Sequence, residues 1–367
     1  MRQKKLVLSF LFLSIGLLSV LPIVNIIILY KHDQLKAENL TKRRLFSSDN
    51  VESYLNYLLY KRYQISLIKG KVHIGKDGYL FLGNDEDNVV DKIMGRYPYT
   101  HQKLKAWVHN LKTIQHWYTS RGIKFLLVIA PNKHTIYQHE LPDDIAYASQ
   151  GTITDDIVAL SRKNDIHLLD LRSVLQDQRK RGPLYFKTDT HWNHMGAAIG
   201  FSRTIAYLND HFYNDNIQIP DYTLSRTHRQ SGDLARFLKI IHLLPKDMET
   251  DYDIHLKETP DACQGKIDEN HTLEVCQRNH ETPIMGDQYA LNENPVNDEK
   301  LLLLCDSFGN ANIQLFNATF QSVWKFHYHH INGKPLADFV EKHRPDIVIY
   351  QVVERALYND DIVKSFE

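Results

Sequence analysis

Apolar residues in this chain gather into a few dense runs separated by long polar stretches. Leu6–Tyr30 is the longest run, interrupted only by small or mildly polar residues and Pro22. About twenty such residues cross a bilayer as a helix. Arg2, Lys4 and Lys5 precede the run, favouring a cytoplasmic N-terminus, while Lys31, Lys36 and Lys42-Arg43-Arg44 follow it and weaken that bias. The run outlasts a signal-peptide core and ends without an Ala-x-Ala site, which favours an uncleaved signal-anchor over a cleaved signal peptide.

Shorter patterns organise the rest. After the charged Asp33–Arg44 stretch, Asn50 to about Lys69 spaces Tyr, Leu and Ile at helical intervals and predicts an amphipathic helix. Gly75-Lys76-Asp77-Gly78 predicts a turn and Tyr79–Leu82 a strand. The Leu104, Trp107, Leu111, Ile114 stripe predicts a core-facing helix from His101 to about Gly122. Phe125–Ala130 reads as a buried strand, Thr154–Lys163 as a helix, Ile166–Leu171 as the next strand and Met195 to about Leu208 as a small-residue helix. The four leucines Leu301–Leu304 are too short a run for a helix and predict a buried strand. A helix to about Phe320, another over Pro335–His343 and a final strand in the closing Pro345–Arg355 segment follow. This alternation predicts an α/β fold with a mainly parallel sheet covered by helices. Between about 209 and 298 the periodicity fades and charge rises, predicting an irregular insertion. The expected division is a stub and anchor over 1–34, a juxtamembrane linker over 35–74, and one large domain over 75–367.

Composition narrows the function. With 367 residues, 43% hydrophobic and 24% charged, the chain buries a substantial core, and its zero formal net charge argues against nucleic acid as a partner. Cys263 and Cys276 flank a polar loop and are placed to form a disulfide, whereas Cys305 falls on the leucine strand and reads as a free core thiol. Three reduced thiols is the other reading.

The leucine strand ends in Cys305-Asp306-Ser307-Phe308-Gly309-Asn310. A serine at the carboxyl end of a buried strand stands where α/β sheets present groups to ligands. Its backbone N–H, at a helix start, would face an oxyanion. Alone, Ser307 reads equally well as a helix N-cap. Asp189-Thr190-His191 changes the balance, because a carboxylate two residues before a histidine can accept from Nδ1–H and leave Nε2 free for a serine proton. Ser307, His191 and Asp189 thus supply the three parts of an acyl-transfer triad. Asn132 and Lys133, just past the Phe125–Ala130 strand, are candidates for substrate contact or loop support. Arg236 offers a guanidinium to a carboxylate-bearing sugar or to a surface salt bridge.

The chain resembles the periplasmic polysaccharide O-acetyltransferases of the alginate type, the AlgJ/AlgX group, which carry an SGNH-hydrolase-like domain. The matching segments are Gly75–Phe81, Pro131–Tyr137, Asp189–Trp192, Ser231–Arg236, Asp306–Phe308 and Pro345–Arg355, in that order over roughly residues 50–360. The resemblance implies Asp189, His191 and Ser307 as the triad, a periplasmic catalytic domain on a single-pass inner-membrane anchor, a polysaccharide substrate, and a membrane-bound O-acyltransferase partner supplying acetyl. No cofactor and no metal is implied. Two departures stand out. Cys305 replaces the glycine that usually precedes Asp-Ser. The serine block also follows the Asp-His block, reversing the usual SGNH order, so the domain reads as circularly permuted, with the serine strand mid-sheet. No Gly-x-Asn-Asp follows Ile349; Gln351, Glu354 and Arg355 occupy that region, leaving the second oxyanion donor unassigned.

Three rivals compete with acetyl transfer. An acetyl esterase would use the same triad with water as acceptor. A polysaccharide-binding or assembly subunit would need no triad. A metal site would use Asp189, His191 and His194, with His327, His329 and His330 as further nitrogen donors; the spacing is not a standard zinc pattern, and strand alternation would put His327 and His329 on one face and His330 on the other.

Overall fold

The computed structural model describes residues 2–31, 36, 40–148, 151–213, 216–230, 232–258, 262–278 and 285–366. Ser231 and residues 32–35 and 37–39 of the expected charged stretch lie outside them.

A seven-stranded sheet forms the centre. Its strands in chain order are β1 (Lys124–Ala130), β2 (Leu168–Asp170), β3 (Ala262–Lys266), β4 (Gln288–Asn292), β5 (Asn297–Cys305), β6 (Phe320–His327) and β7 (Ile347–Val353). Across the sheet the order is β2-β1-β7-β5-β6-β4-β3. Neighbours from β2 to β6 run parallel, and β4 and β3 close one side antiparallel. Every residue of β7 is buried, as are the last five of β5, which explains their unbroken aliphatic runs: strands covered on both faces show no alternation. The final strand in sequence inserts between β1 and β5, pairing Val353 with Ala130 and Gln351 with Cys305. The Ser307 strand is thereby fourth of seven, with the end of β7 beside it.

Helices occupy His101–Thr119, Ile153–Lys163, His194–Leu208 and Gly333–His343, each close to its predicted bounds. Thr100, Thr152 and Asn193 cap the first three through side-chain oxygens. The apolar run is one helix, Arg2–Lys31, within which Phe10–Ile28 is long and apolar enough to cross a membrane. Asp49–Leu58 is helical and continues as a π-turn to Tyr63, stopping short of the expected Lys69 where Gln64 adopts a left-handed conformation.

The stretch read as an irregular insertion is largely ordered. It holds the antiparallel hairpin Tyr222–Arg229 with Glu249–Leu256, the short helix Asp233–Phe237, and strands β3 and β4 of the central sheet. Polar edge strands such as Ala262-Cys263-Gln264-Gly265-Lys266 carry no period-two signal, because their pairing is dictated by a neighbour and not by a buried face. Cys263 on β3 is disulfide-bonded to Cys276, with Cα atoms 5.5 Å apart, and Cys305 is a free, buried cysteine.

Candidate active site

Asp306 organises the turn that presents the serine. Its Oδ2 accepts from Val353 N at 2.6 Å, tying the end of β5 to the end of β7, and its Oδ1 accepts from Phe308 N at 2.9 Å. Asp306 is therefore the N-cap of a short 3-10 turn, Ser307–Asn310, and Ser307 is left with its hydroxyl exposed. A helix begins only at Ile313. The N–H groups of Phe308 and Gly309 are both taken, by Asp306 Oδ1 and by the Asp306 carbonyl.

His191 reaches this hydroxyl from the opposite segment. Its Nε2 lies 2.7 Å from Ser307 Oγ, and its Nδ1 lies 2.6 Å from Asp189 Oδ1. Asp189 is 8% exposed and also accepts from the backbone N–H groups of His191, at 2.9 Å, and Asp233, at 3.1 Å. Burial pushes the Asp189 carboxyl upward, but the His191 imidazole and the two N–H donors outweigh it and hold the group far below the usual carboxylate range. An ionised Asp189 accepts only, so His191 presents Nδ1–H to it and a bare Nε2 to the serine. The arrangement can withdraw a proton from Ser307 and return it to a leaving group.

The Asp189 loop is clamped from several sides. Lys133, 2% exposed, donates Nζ to the carbonyls of Asp189 at 2.6 Å and of Phe186 and Lys187 at 3.2 Å each. Burial lowers the Lys133 amine to about 8, although Glu249, Asp233 and Asp189 oppose the shift. Glu249 accepts from the N–H groups of Lys187 and Thr188, each at 2.6 Å, and from the Thr188 hydroxyl. Asp233 takes Thr190 N at 2.8 Å and Thr190 Oγ1 at 2.5 Å.

The other predicted site residues divide. Lys133 supports the loop and does not face solvent. Asn132 and Glu354 stand beneath it: the buried Glu354 carboxylate accepts from Asn132 N at 2.9 Å and Thr135 Oγ1 at 2.5 Å, which fixes the turn that aims Lys133. Burial raises the Glu354 carboxyl, with Arg172, Thr135 and Asn132 pulling the other way. Gln351 lies under the serine turn, accepting from Asn312 Nδ2 at 2.9 Å. Arg355 places its guanidinium 5.6 Å from the centre of the Phe308 ring, and the His191 ring packs on the same phenyl at 5.1 Å. Arg236 is exposed on the Asp233–Phe237 helix and makes no ion pair among the described residues.

The candidate metal set does not assemble. His194 Nδ1 is bound to Asp251 at 2.9 Å, away from His191. Beyond His327 the chain turns, so alternation ends: His329 and His330 both bring their rings within 5.1 Å of His327 and pair with Asp361 and Asp287. Asp189, His191 and Asp233 do offer ligand atoms within 4.8 Å of one another, but the hydrogen bonds above already engage them.

Three residues of the support lay beyond chemical reading of the sequence: Gly232 and Asp233 were visible only inside a family motif, and Glu249 gave no signal at all. Cys305 also finds its explanation here: its Sγ occupies the space against Gly309, and burial pushes the thiol up to about 12.

A family model described as the SGNH hydrolase-like domain of acetyltransferase AlgX matches residues 72–287, more than half the chain. The probable alginate O-acetylase AlgJ of Pseudomonas aeruginosa is 26% identical over 194 residues, covering 52% of this chain and 46% of that protein. Its Pseudomonas syringae counterpart is 24% identical over 236 residues, covering 61% and 55%. The chain thus spans about half the length of these relatives. Among solved structures, Bacillus cereus PatB1 superposes with a TM-score of 0.59 at 14% identity, over 81% of this chain and 99% of that one. The O-acetyltransferase domain of Pseudomonas putida AlgJ gives 0.51 at 17% identity, over 78% and 92%. These last two are likenesses of fold.

Proposed function

The chain belongs to the AlgX-type SGNH hydrolase-like acetyltransferase family, and from that premise we propose that it moves an acetyl group through Ser307 onto hydroxyls of an exported polysaccharide. The observation that carries this reading is the line Ser307 Oγ–His191 Nε2, 2.7 Å, and His191 Nδ1–Asp189 Oδ1, 2.6 Å, at an exposed serine. His191 removes the Ser307 proton as Oγ attacks the acetyl carbonyl. The tetrahedral oxyanion is held by the Ser307 N–H and one further donor, with Arg355 as the nearby cation. The imidazolium then protonates the departing group, leaving acetyl-Ser307. In the second half a sugar hydroxyl gives its proton to His191 and attacks the ester, and Ser307 recovers its proton.

The catalytic domain sits on the periplasmic face of the inner membrane, anchored by the apolar helix, and a membrane-bound O-acyltransferase delivers the acetyl. The name of the AlgJ relatives supports a polysaccharide acceptor, and the proposal extends to that class and not to an individual polymer.

The test compares wild type with Ser307→Ala on a chromogenic acetyl ester, with and without oligosaccharide. Acetylated oligosaccharide from wild type alone supports transfer. Ester hydrolysis with no sugar product makes the protein an esterase, and undiminished turnover by Ser307→Ala excludes the triad.

A further inference from the structure

The helix Asp49–Leu58 docks on the catalytic domain with its polar side. Ser53 Oγ donates to the Lys239 carbonyl at 2.5 Å, Asn56 Nδ2 to the Leu238 carbonyl at 3.0 Å, and Tyr60 OH to the Gly78 carbonyl at 3.0 Å. Lys239 Nζ bridges Asp49 and Glu52, at 2.7 Å each. Tyr60 is buried in the core and Tyr57 packs against it, but a second set of apolar side chains points away. Tyr54, Leu55 and Leu58 are 39–50% exposed, and Tyr63, Ile65 and Leu67 beyond the helix are 47–60% exposed. A helix in a globular protein ordinarily does the reverse, burying its apolar stripe. Here nothing among the described residues covers it, and patches of this kind mark interaction surfaces.

Two observations identify what covers it. The patch is continuous with the membrane-length helix: Asn25, inside that helix, donates to the carbonyls of Leu45 and Ser47 and accepts from Asn50 Nδ2 at 2.8 Å. The patch also carries unpaired positive charge, since Lys61 and Arg62 are exposed and make no ion pair among the described residues. Exposed apolar side chains flanked by cations without acidic partners, one of them Lys61 lying 5.8 Å from the centre of the Tyr60 ring, suit a headgroup boundary containing anionic lipid.

We propose that residues 49–67 lie flat on an anionic phospholipid bilayer and hold the catalytic domain against it as a second, interfacial contact beside the spanning helix. This rests on the membrane-anchored placement proposed above. The same element braces the triad. The carbonyls that Ser53 and Asn56 hold belong to residues just after the helix Asp233–Phe237, whose first N–H binds Asp189. Gly78, held by Tyr60, belongs to the turn leading to Leu80, whose N–H binds the Lys187 carbonyl of the Asp189 loop. Lipid contact therefore orders the support of the general base at the surface where a membrane-borne acetyl donor arrives.

The test uses the full chain in vesicles of phosphatidylethanolamine and phosphatidylglycerol. A Leu58→Cys or Leu67→Cys variant carries an environment-sensitive fluorophore, with Lys105→Cys, on the remote helix His101–Thr119, as control. Brominated lipid is expected to quench the probes at 58 and 67 several-fold more than the probe at 105. Lys61→Glu with Arg62→Glu is expected to reduce that quenching in anionic vesicles. A chain that stays in the membrane through carbonate extraction, yet whose 58 and 67 probes remain in water, overturns the interfacial contact while leaving the anchor intact. Release by carbonate overturns both. Capture of a membrane protein by a crosslinker at 58, without lipid quenching, replaces the lipid with a protein partner and overturns the proposal.

Discussion

Gly232 lies so close to Asp189 that a β-carbon at 232 would overlap its Oδ2, Cγ and Cβ. The contact follows from the Asp233 N–H, which must approach Asp189 Oδ2 to 3.1 Å. Gly232→Ala is expected to displace the carboxylate and lower kcat on an acetyl ester by about 100-fold, the order of loss that misplacement of about 1 Å produces. KM should change little, since the displacement falls on Asp189 and not on the exposed Ser307 hydroxyl. Steady-state kinetics on the folded variant decide it; an unchanged kcat removes Gly232 from the triad's support.

Lys133 is predicted to act by position. Lys133→Met keeps the length of the side chain and deletes three hydrogen bonds to the Asp189 loop, so kcat should fall about 10- to 100-fold. The lysine also leaves a signature in stability. Its folded value is lowered to about 8, so between pH 8 and the ordinary lysine value of 10.5 the unfolded chain binds more protons than the folded one. The stability of wild type relative to Lys133→Met should therefore rise with pH through that window. Denaturant midpoints at pH 7, 9 and 10 measure the difference, and parallel curves would show that Lys133 shifts nothing.

Cys305 and Gly309 form a coupled pair. Gly309→Ala places a methyl against Cys305 Sγ and Cβ and should destabilise by about 1–3 kcal/mol, as overpacking does. Cys305→Gly in the same chain makes room, so the double variant should recover much of the Ser307-dependent activity. Additive losses in the double-mutant cycle would mean the two sites are independent.

Breaking the Cys263–Cys276 link should cost about 3 kcal/mol by the loop-entropy estimate for a ring of 13 residues' separation. A Cys263→Ser, Cys276→Ser variant would show this as a lower denaturation midpoint. In the unreduced, unfolded wild type, thiol titration should find one reactive cysteine, Cys305; three would exclude the bond.

Much of the scaffold was legible because burial on both faces leaves an unmistakable run of aliphatic residues. Leu301–Leu304 and the closing segment from Pro345 needed no partner to be read as strands. The Asp189–His191 pair was legible for a different reason: the two are two residues apart, so their hydrogen bond is a local event, whereas the His191–Ser307 contact is a tertiary one. The supports were not. Asn132, Glu354 and Gln351 looked like candidate ligand groups, since a strand's carboxyl end says nothing about which polar side chains turn inward. Strand β3 was missed because an edge strand's pairing is imposed by its neighbour, and β4, paired on both sides, because its five mixed residues Gln288–Asn292 carry no aliphatic run.

By itself, then, the order of residues determined the α/β class, the apolar N-terminal helix and the chemistry offered by Asp189, His191 and Ser307. Only the tertiary structure decided that β7 slots between β1 and β5, that Asp306 spends its carboxylate on Val353 and Phe308, and that Lys133, Asp233 and Glu249 converge on one loop. The physical reason is range. Periodicity and short-spaced hydrogen bonds are written within a few residues, whereas the clamp on the Asp189 loop joins groups dozens of residues apart whose proximity exists only once the sheet has closed.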